Sequence, residues 1–238
     1  MEFELNLGGA AQFELKGAVL VYCGGDLANG AFASWHSAVH SAGEAPVLGP
    51  GQPLSQAFLR ELSRGLGATV RAEILPDNVL VRTPDTLVWW SPARRCPMFF
   101  DSGEALVDVS GRVFPQPALV FKVSRRALWI RALGANARPD ATTALMVAPY
   151  YNVNAAGLVC QGTMRTPEQP SVAAMTQWER AFFESEFTHI YGGGRLTRHR
   201  GGVASLWSGL AGKRAFPVAT LVPARETLTQ FGEQECCQ

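Results

Sequence analysis

The chain has almost no charge imbalance: 21 basic residues against 20 acidic ones leave a net charge of +1 over 238 residues. That balance gives no electrostatic ground for a polyanion partner, so direct nucleic-acid binding is not expected. Charged residues are scarce, at 17%, beside 47% hydrophobic ones, a composition that excludes a disordered chain and can bury a substantial core. No apolar run approaches the roughly 18 residues of a membrane span, and Met1 to Asn6 lack the basic start and apolar stretch of a signal peptide. A cytoplasmic protein with no membrane association is expected. The five cysteines, at 23, 96, 160, 236 and 237, form no CxxC pair, and their odd number argues against a complete disulfide framework. They read as free thiols, with Cys236 and Cys237 incidental in a polar terminus. His36 and His40 have an i, i+4 spacing but no glutamate after His36 and no third ligand, so no metal site is expected. The spacings of a P-loop or a dinucleotide fingerprint are missing, and no cofactor is expected. The chain has no internal repeat and no low-complexity block.

The polar and apolar patterns divide the chain. Phe3-Leu5-Leu7, Ala18 to Cys23 and Phe32 to Val39 predict short strands, with a turn at Gly24-Gly25-Asp26. Three prolines and two glycines between Ala45 and Pro53 predict a loop and a boundary. Leu54, Phe58, Leu59, Leu62 and Leu66 recur at helical steps, predicting a helix. Val79 to Val81, Thr86 to Trp90, Ala105 to Val109, Ala118 to Val123 and Ala127 to Leu133 then read as strands of an antiparallel meander, followed by a long loop from Gly134 to Ala148. Val172 to Phe187 predicts a second helix with its start at Pro170-Ser171, Val203 to Leu210 a third, and the residues after Pro223 a polar, mobile tail. The expected organisation is a β-rich extension over residues 1–50, an α+β domain over 51–223 and a tail over 224–238.

Within that frame one segment carries chemistry. Pro149 to Gly162 places Asn152 eight residues before Cys160, with Gly157 between them to turn the chain. Acyl transfer through a thioester needs a thiol that leaves as a thiolate and a donor aimed at the oxyanion that forms on attack. Cys160 can be the thiol and the Asn152 carboxamide the donor. Equally, a cysteine after Leu158-Val159 can be a small buried hydrophobe, and Asn152 a turn residue bonding its own backbone.

These residues fall in the register of ubiquitin-conjugating enzymes, which have a His-Pro-Asn tripeptide, an apolar residue, a turn ending in Gly, an apolar residue and the catalytic Cys. Asn152, Val153, Gly157, Val159 and Cys160 match that register, while Tyr150 and Tyr151 replace the His and Pro, and Gln161-Gly162 replaces a common Leu-Asp. Leu87 to Trp90, Phe114 to Phe121, Ala148 to Val153 and Ala181 to His189 resemble the B protein of the PRTRC cassette, a bacterial plasmid and mobile-element gene set. That family is classed with prokaryotic ubiquitin-conjugating-like proteins. The resemblance spans about Pro53 to Leu221. It implies a ubiquitin-conjugating-like fold, with the helix near Leu54 as its first helix. It also implies three partners: a ThiF-related adenylating enzyme that performs the ATP-dependent step, a small ubiquitin-like protein carried on Cys160, and a ParB-related protein.

His189 is the remaining titratable group of interest, just past the second helix; the resemblance places a histidine there. It can serve as base or orienter for the site, or simply as a helix-end histidine favoured by the dipole. Arg195, Arg198 and Arg200 lie in a loop with five glycines that reads as solvated. Trp89-Trp90 and Phe99-Phe100 read as core strand positions or as a protein-binding surface.

Overall fold

The computed structural model describes residues 15–23, 31–41, 45–65, 74–124, 126–162, 164–168 and 170–233. The predicted strand at Phe3 to Leu7, the Gly24-Gly25-Asp26 turn and the two terminal cysteines lie outside these residues. The chain divides into two compact units, Met1–Glu73 and Ile74–Gln238. The break falls later than the proline-rich segment at Ala45 to Pro53, because that segment contributes strands to the first unit.

In the first unit β1 (Gly17–Cys23) pairs antiparallel with β2 (Ala31–Val39), from Gly17 opposite Ser37 to Cys23 opposite Ala31. Two short strands, β3 (Val47–Leu48) and β4 (Gln52–Pro53), also pair with β2. Helix α1 (Gln56–Gly65) follows, with the Phe58 amide donating to Ser55 Oγ at its start and the Phe58 ring 4.7 Å from that of Trp35. The helix forms where its periodicity predicts. It buries none of its residues and groups with the N-terminal unit.

The second unit is built on a six-stranded antiparallel sheet in the order β14-β12-β11-β10-β6-β5. Its strands are β5 (Val79–Arg82), β6 (Thr86–Ser91), β10 (Leu119–Ser124), β11 (Ala127–Leu133), β12 (Ala144–Val147) and β14 (Pro223–Thr227). Between β6 and β10 the chain makes an excursion through β7 (Arg94–Pro97), β8 (Phe99–Phe100), α2 (Glu104–Val107) and β9 (Val113–Gln116), in which β7 pairs with β9. Residues Ala105 to Val109, expected as a strand, thus begin in α2 and end in a turn. Among the described side chains of that helix only Leu106 is buried, so a short apolar run here marks one helical turn against the core. The loop expected from Gly134 to Ala148 likewise contains a strand, β12, which pairs with both β11 and β14.

Side chains of the sheet alternate between two cores, as the two-residue pleat requires. Leu87, Trp89, Phe121, Val123, Leu128 and Ile130 face the larger one, against α3 (Met175–Phe183) and α4 (Gly202–Leu210). Val88, Val120, Leu133 and Leu145 face the smaller, which is closed by Leu228 and Phe231 of α5 (Leu228–Glu233). Residues 224–233 are therefore strand and helix packed on the sheet, and the mobile tail expected from 224 is corrected for all of its described part. Two buried cations share that second face. Lys122 Nζ donates to the Phe231 carbonyl at 2.8 Å, and Arg131 pairs with Glu226.

The larger core is dominated by aromatic rings. Tyr150 lies 5.2 Å from Phe182 and 5.1 Å from Trp207, and Phe187 packs against both Tyr150 and Phe182. Trp89 and Phe100 also belong to this core, whereas Phe99 stays exposed. The expected second helix is real over its middle: a 3-10 turn at Val172–Ala174 leads into α3. It ends at Phe183 because Glu186–Phe187 form β13, which pairs parallel with β8.

Candidate functional site

The segment from Pro149 to Cys160 is anchored at one end and turned at the other. Its anchor is Tyr150, fully buried, whose hydroxyl donates to Gln116 Oε1 at 2.8 Å, while Trp207 Nε1 donates to the Pro149 carbonyl at 2.6 Å. Burial holds the Tyr150 phenol well above its ordinary pKa, so it stays neutral. The tyrosine that stands where the resemblance has histidine is thus a core ring that fixes where the following residues emerge.

From Asn152 to Cys160 the chain forms a tight hairpin. Cys160 N–H donates to the Asn152 carbonyl at 2.7 Å, Val153 pairs with Val159, and Asn154 N–H donates to the Leu158 carbonyl at 3.0 Å. Asn154 Oδ1 accepts from Leu158 N–H and so closes the turn. Gly157 has φ +85°, and a Cβ there would stand 2.8 Å from the Ile130 carbonyl oxygen. Only glycine meets both conditions, because an L side chain is strained in that region and would push the hairpin away from β11. We expect Gly157→Ala to cost about 1–2 kcal/mol from the backbone alone, read as a fall in the urea midpoint; an unchanged midpoint would contradict this account of the turn.

The second arm of the hairpin docks on the part of β11 that β12 leaves open: Ile130 N–H donates to the Gly157 carbonyl, and Val159 N–H to that of Leu128. Val153 and Val159 enter the core, and Cys160, one residue on, is half-buried. It lies across from Asn152 in the hairpin register, its N–H bonded to the Asn152 carbonyl.

Asn152 is buried to 8% exposure and has φ +60°. Its carboxamide braces a third segment. Nδ2 donates to the Glu186 carbonyl at 2.7 Å, and Oδ1 accepts from Thr188 N–H, Thr188 Oγ1 and His189 N–H at 3.2, 3.1 and 3.3 Å. Asn152 N–H in turn donates to the His189 carbonyl at 2.8 Å. Three backbone segments therefore run side by side, with His189 and Cys160 flanking Asn152. No hydrogen bond joins His189 to Cys160; the exposed His189 ring meets Thr188 Oγ1 through Nδ1 at 2.9 Å and lies 6.2 Å from the Tyr191 ring.

Two further contacts hold the turn. Arg131, 3% exposed, donates through Nη1 to the Ala155 carbonyl at 2.7 Å and through Nε to Glu226. Burial draws the Arg131 pKa down, and the Glu226 carboxylate pulls it back. Gly194 approaches from the other side, where a Cβ would come within 2.9 Å of the Ala155 Cβ. The glycine-rich loop thus serves close packing on the hairpin, and Arg195, Arg198 and Arg200 beside it are exposed. A groove of 540 Å³ runs along the flank of α3, lined by Met164, Arg165, Gln177, Arg180, Glu184 and Glu186.

Thr188, Arg131 and Glu226 were not singled out from the sequence. Thr188 carried one usable signal, a hydroxyl beside a candidate histidine. The Arg131–Glu226 pair carried none, since 95 residues separate its members. Elsewhere, burial pushes the Cys96 thiol up to about 11, against the pull of Arg94 and Gln116, which leaves it an unreactive thiol. His36, on β2, has both ring nitrogens in hydrogen bonds, to Ser34 Oγ and the Gly49 carbonyl, and among the described residues no group of three His, Cys, Asp or Glu side chains could hold a metal ion. Among those residues no helix is long and apolar enough to cross a membrane.

No curated protein and no solved structure matches the chain. A family profile does, over residues 58–224, which take in the whole sheet but the last residues of β14, together with the hairpin, Asn152, Cys160 and His189. With more than half its length matched, and with an α+β architecture on an antiparallel sheet as that match requires, the chain belongs to prokaryotic E2 family D.

Proposed function

We propose that the protein carries a small ubiquitin-like protein as a thioester on Cys160 and passes it to an amine, within a cytoplasmic PRTRC cassette of plasmid or mobile-element origin. Family membership implies ubiquitin-like partners in general. The observation that carries the finer reading is the placement of a half-buried Cys160 across from Asn152, at the end of a hairpin locked to β11. In this reading a ThiF-related enzyme adenylates the ubiquitin-like protein with ATP and hands it over by thioester exchange. The Cys160 sulfur attacks the incoming thioester carbonyl and the enzyme's thiolate leaves. An acceptor amine then attacks the Cys160 thioester, the C–N bond forms, the C–S bond breaks, and the Cys160 thiolate is released. Asn152 holds the segment that bears His189 and has one Nδ2 hydrogen not engaged by Glu186 to offer the oxyanion. His189 does not touch the thiol, so its role is on the incoming amine, whose proton it accepts. The ParB-related protein is a further partner of the assembly.

A second reading, a catalytically silent adaptor that binds the ubiquitin-like or ParB-related partner, is favoured by one observation: the Asn152 carboxamide already makes four hydrogen bonds to the Glu186–His189 segment. The two readings part in one experiment. Incubation with the ThiF-related enzyme, the ubiquitin-like protein and ATP is expected to give a thiol-sensitive adduct by intact mass that Cys160→Ala abolishes. Absence of any adduct, with the partners shown active and bound, would establish the adaptor.

A further inference from the structure

The hydrogen-bond chain from Asn152 to His189 fixes more than backbone position. The orientation of the Asn152 carboxamide is set by backbone groups alone: the Glu186 carbonyl can only accept, so its partner is Nδ2, and the Thr188 and His189 amides can only donate, so theirs is Oδ1. Thr188 Oγ1, 3.1 Å from that same Oδ1, must therefore give its single proton to it. The hydroxyl then has only lone pairs to offer His189 Nδ1, 2.9 Å away, so that nitrogen must carry a proton. A neutral His189 is consequently the Nδ1–H tautomer, and its Nε2 is an unprotonated acceptor with no hydrogen-bond partner among the described residues. Because the His189 ring is exposed, that lone pair is open to an incoming molecule.

We infer that Thr188 is a positioning residue that locks His189 as the Nδ1–H tautomer, and so presents Nε2 as the proton acceptor for an amine approaching the Cys160 thioester. This rests on the carrier reading for its use but not for its geometry. Thr188 touches neither the thiol nor an acceptor; it acts by relaying the backbone-fixed polarity of Asn152 to the imidazole. Asn152, Thr188 and His189 form one chain of acceptor, donor–acceptor and donor. In the transfer step the neutral amine attacks the thioester carbonyl, the proton its nitrogen sheds as the C–N bond forms passes to Nε2, giving an imidazolium, and the C–S bond breaks to release the Cys160 thiolate.

Two measurements on the full chain test this. The first is a long-range proton–nitrogen correlation spectrum of the histidine-labelled protein at a pH where His189 is neutral, its signals assigned by their loss in His189→Gln. The proton is expected on Nδ1 in the native protein and in Thr188→Ser, and redistributed towards Nε2 in Thr188→Val, which keeps the branched shape but not the hydroxyl. A native Nε2–H tautomer, or a tautomer indifferent to Thr188→Val, overturns the inference. The second is discharge of the preloaded Cys160 thioester to free lysine. Thr188→Val is expected to slow it about tenfold, part of the 10²–10⁴ that a positioned base contributes, with Thr188→Ser restoring the native rate. Equal discharge rates in native protein and Thr188→Val would remove Thr188 from the reaction. Failure to load Cys160 at all would sink the carrier reading while the spectrum still decides the tautomer.

Discussion

Arg131→Ala is expected to destabilise the protein by about 3–5 kcal/mol, the range for removing one partner of a buried ion pair. The side chains of Arg131 and Glu226 are 4% and 9% exposed, so water screens their attraction little. For a chain of this size the loss corresponds to a fall in Tm of roughly 6–20 °C. The pair Arg131→Met with Glu226→Leu should recover most of it, since well-packed apolar residues often replace a buried ion pair at little or no cost. Thermal melts of the single and double variants check this, and a double variant as unstable as the single would show that the loss comes from something other than the broken ion pair. The double variant has a second use. Arg131 also holds the Ala155 carbonyl in the hairpin turn, and that bond is absent in both variants. If Arg131 positions the site, alkylation of Cys160 should change in the double variant although stability has returned.

This coupling between β14, β11 and the hairpin marks where the sequence stops being readable. The hairpin itself was legible because everything that makes it is local: a glycine at the turn, an asparagine four residues ahead of Leu158, and valines at the two positions that point inward. α3 and α4 were legible for the same reason, each carrying a stripe of large apolar residues over several turns. What failed was what depends on distant partners. Leu228 and Phe231 sit in a polar stretch that looks mobile until the far face of the sheet is seen to need a cover. β12 follows a run of polar residues, and only its pairing with β11 and β14 makes it a strand. α2 was misread because an apolar run of a few residues fits a strand and a single helical turn alike.

The site shows the same division. Cys160 and Asn152 are candidates from residue type and register and His189 from residue type and the resemblance, and the structure brings all three onto adjacent backbone segments. Their relations could not be read. That Asn152 spends its carboxamide on the Glu186–His189 segment follows from β13 pairing with β8, a contact between strands 87 residues apart, Phe99 with Glu186. Tyr150 is the instructive case. As a departure from the His-Pro-Asn pattern it counts against the match, yet it fills the aromatic core and its hydroxyl is satisfied by Gln116, so it supplies an anchor of its own for the asparagine two residues on.

Asn152→Ala is expected to cost about 3–5 kcal/mol, and its companions separate the causes. The substitution removes the acceptor of two backbone amides and the donor to the Glu186 carbonyl, at about 1–3 kcal/mol for each group left unsatisfied, with partial repair by water at this half-buried edge. It also puts an alanine at φ +60°, which adds about 1–2 kcal/mol. Asn152→Gly loses the same hydrogen bonds without the steric term, so it should lie roughly 1 kcal/mol above alanine in stability. Asn152→Asp keeps the acceptor oxygens but turns a carboxylate towards the Glu186 carbonyl, so it should retain the Thr188 and His189 contacts while losing the third. Urea unfolding gives the order Asn, then Gly, then Ala. Hydrogen exchange should show the Thr188 and His189 amides losing protection in Gly and Ala but not in Asp. An Asn152→Ala protein as stable as the native one, with those amides still protected, would mean that the carboxamide braces nothing and is available whole to the chemistry at Cys160. The expected pattern means instead that the same four hydrogen bonds that hold the Glu186–His189 segment against Asn152 leave a single Nδ2 hydrogen for an oxyanion. Any loss of transfer in Asn152→Ala must then be compared with that in Asn152→Asp before it is assigned to catalysis.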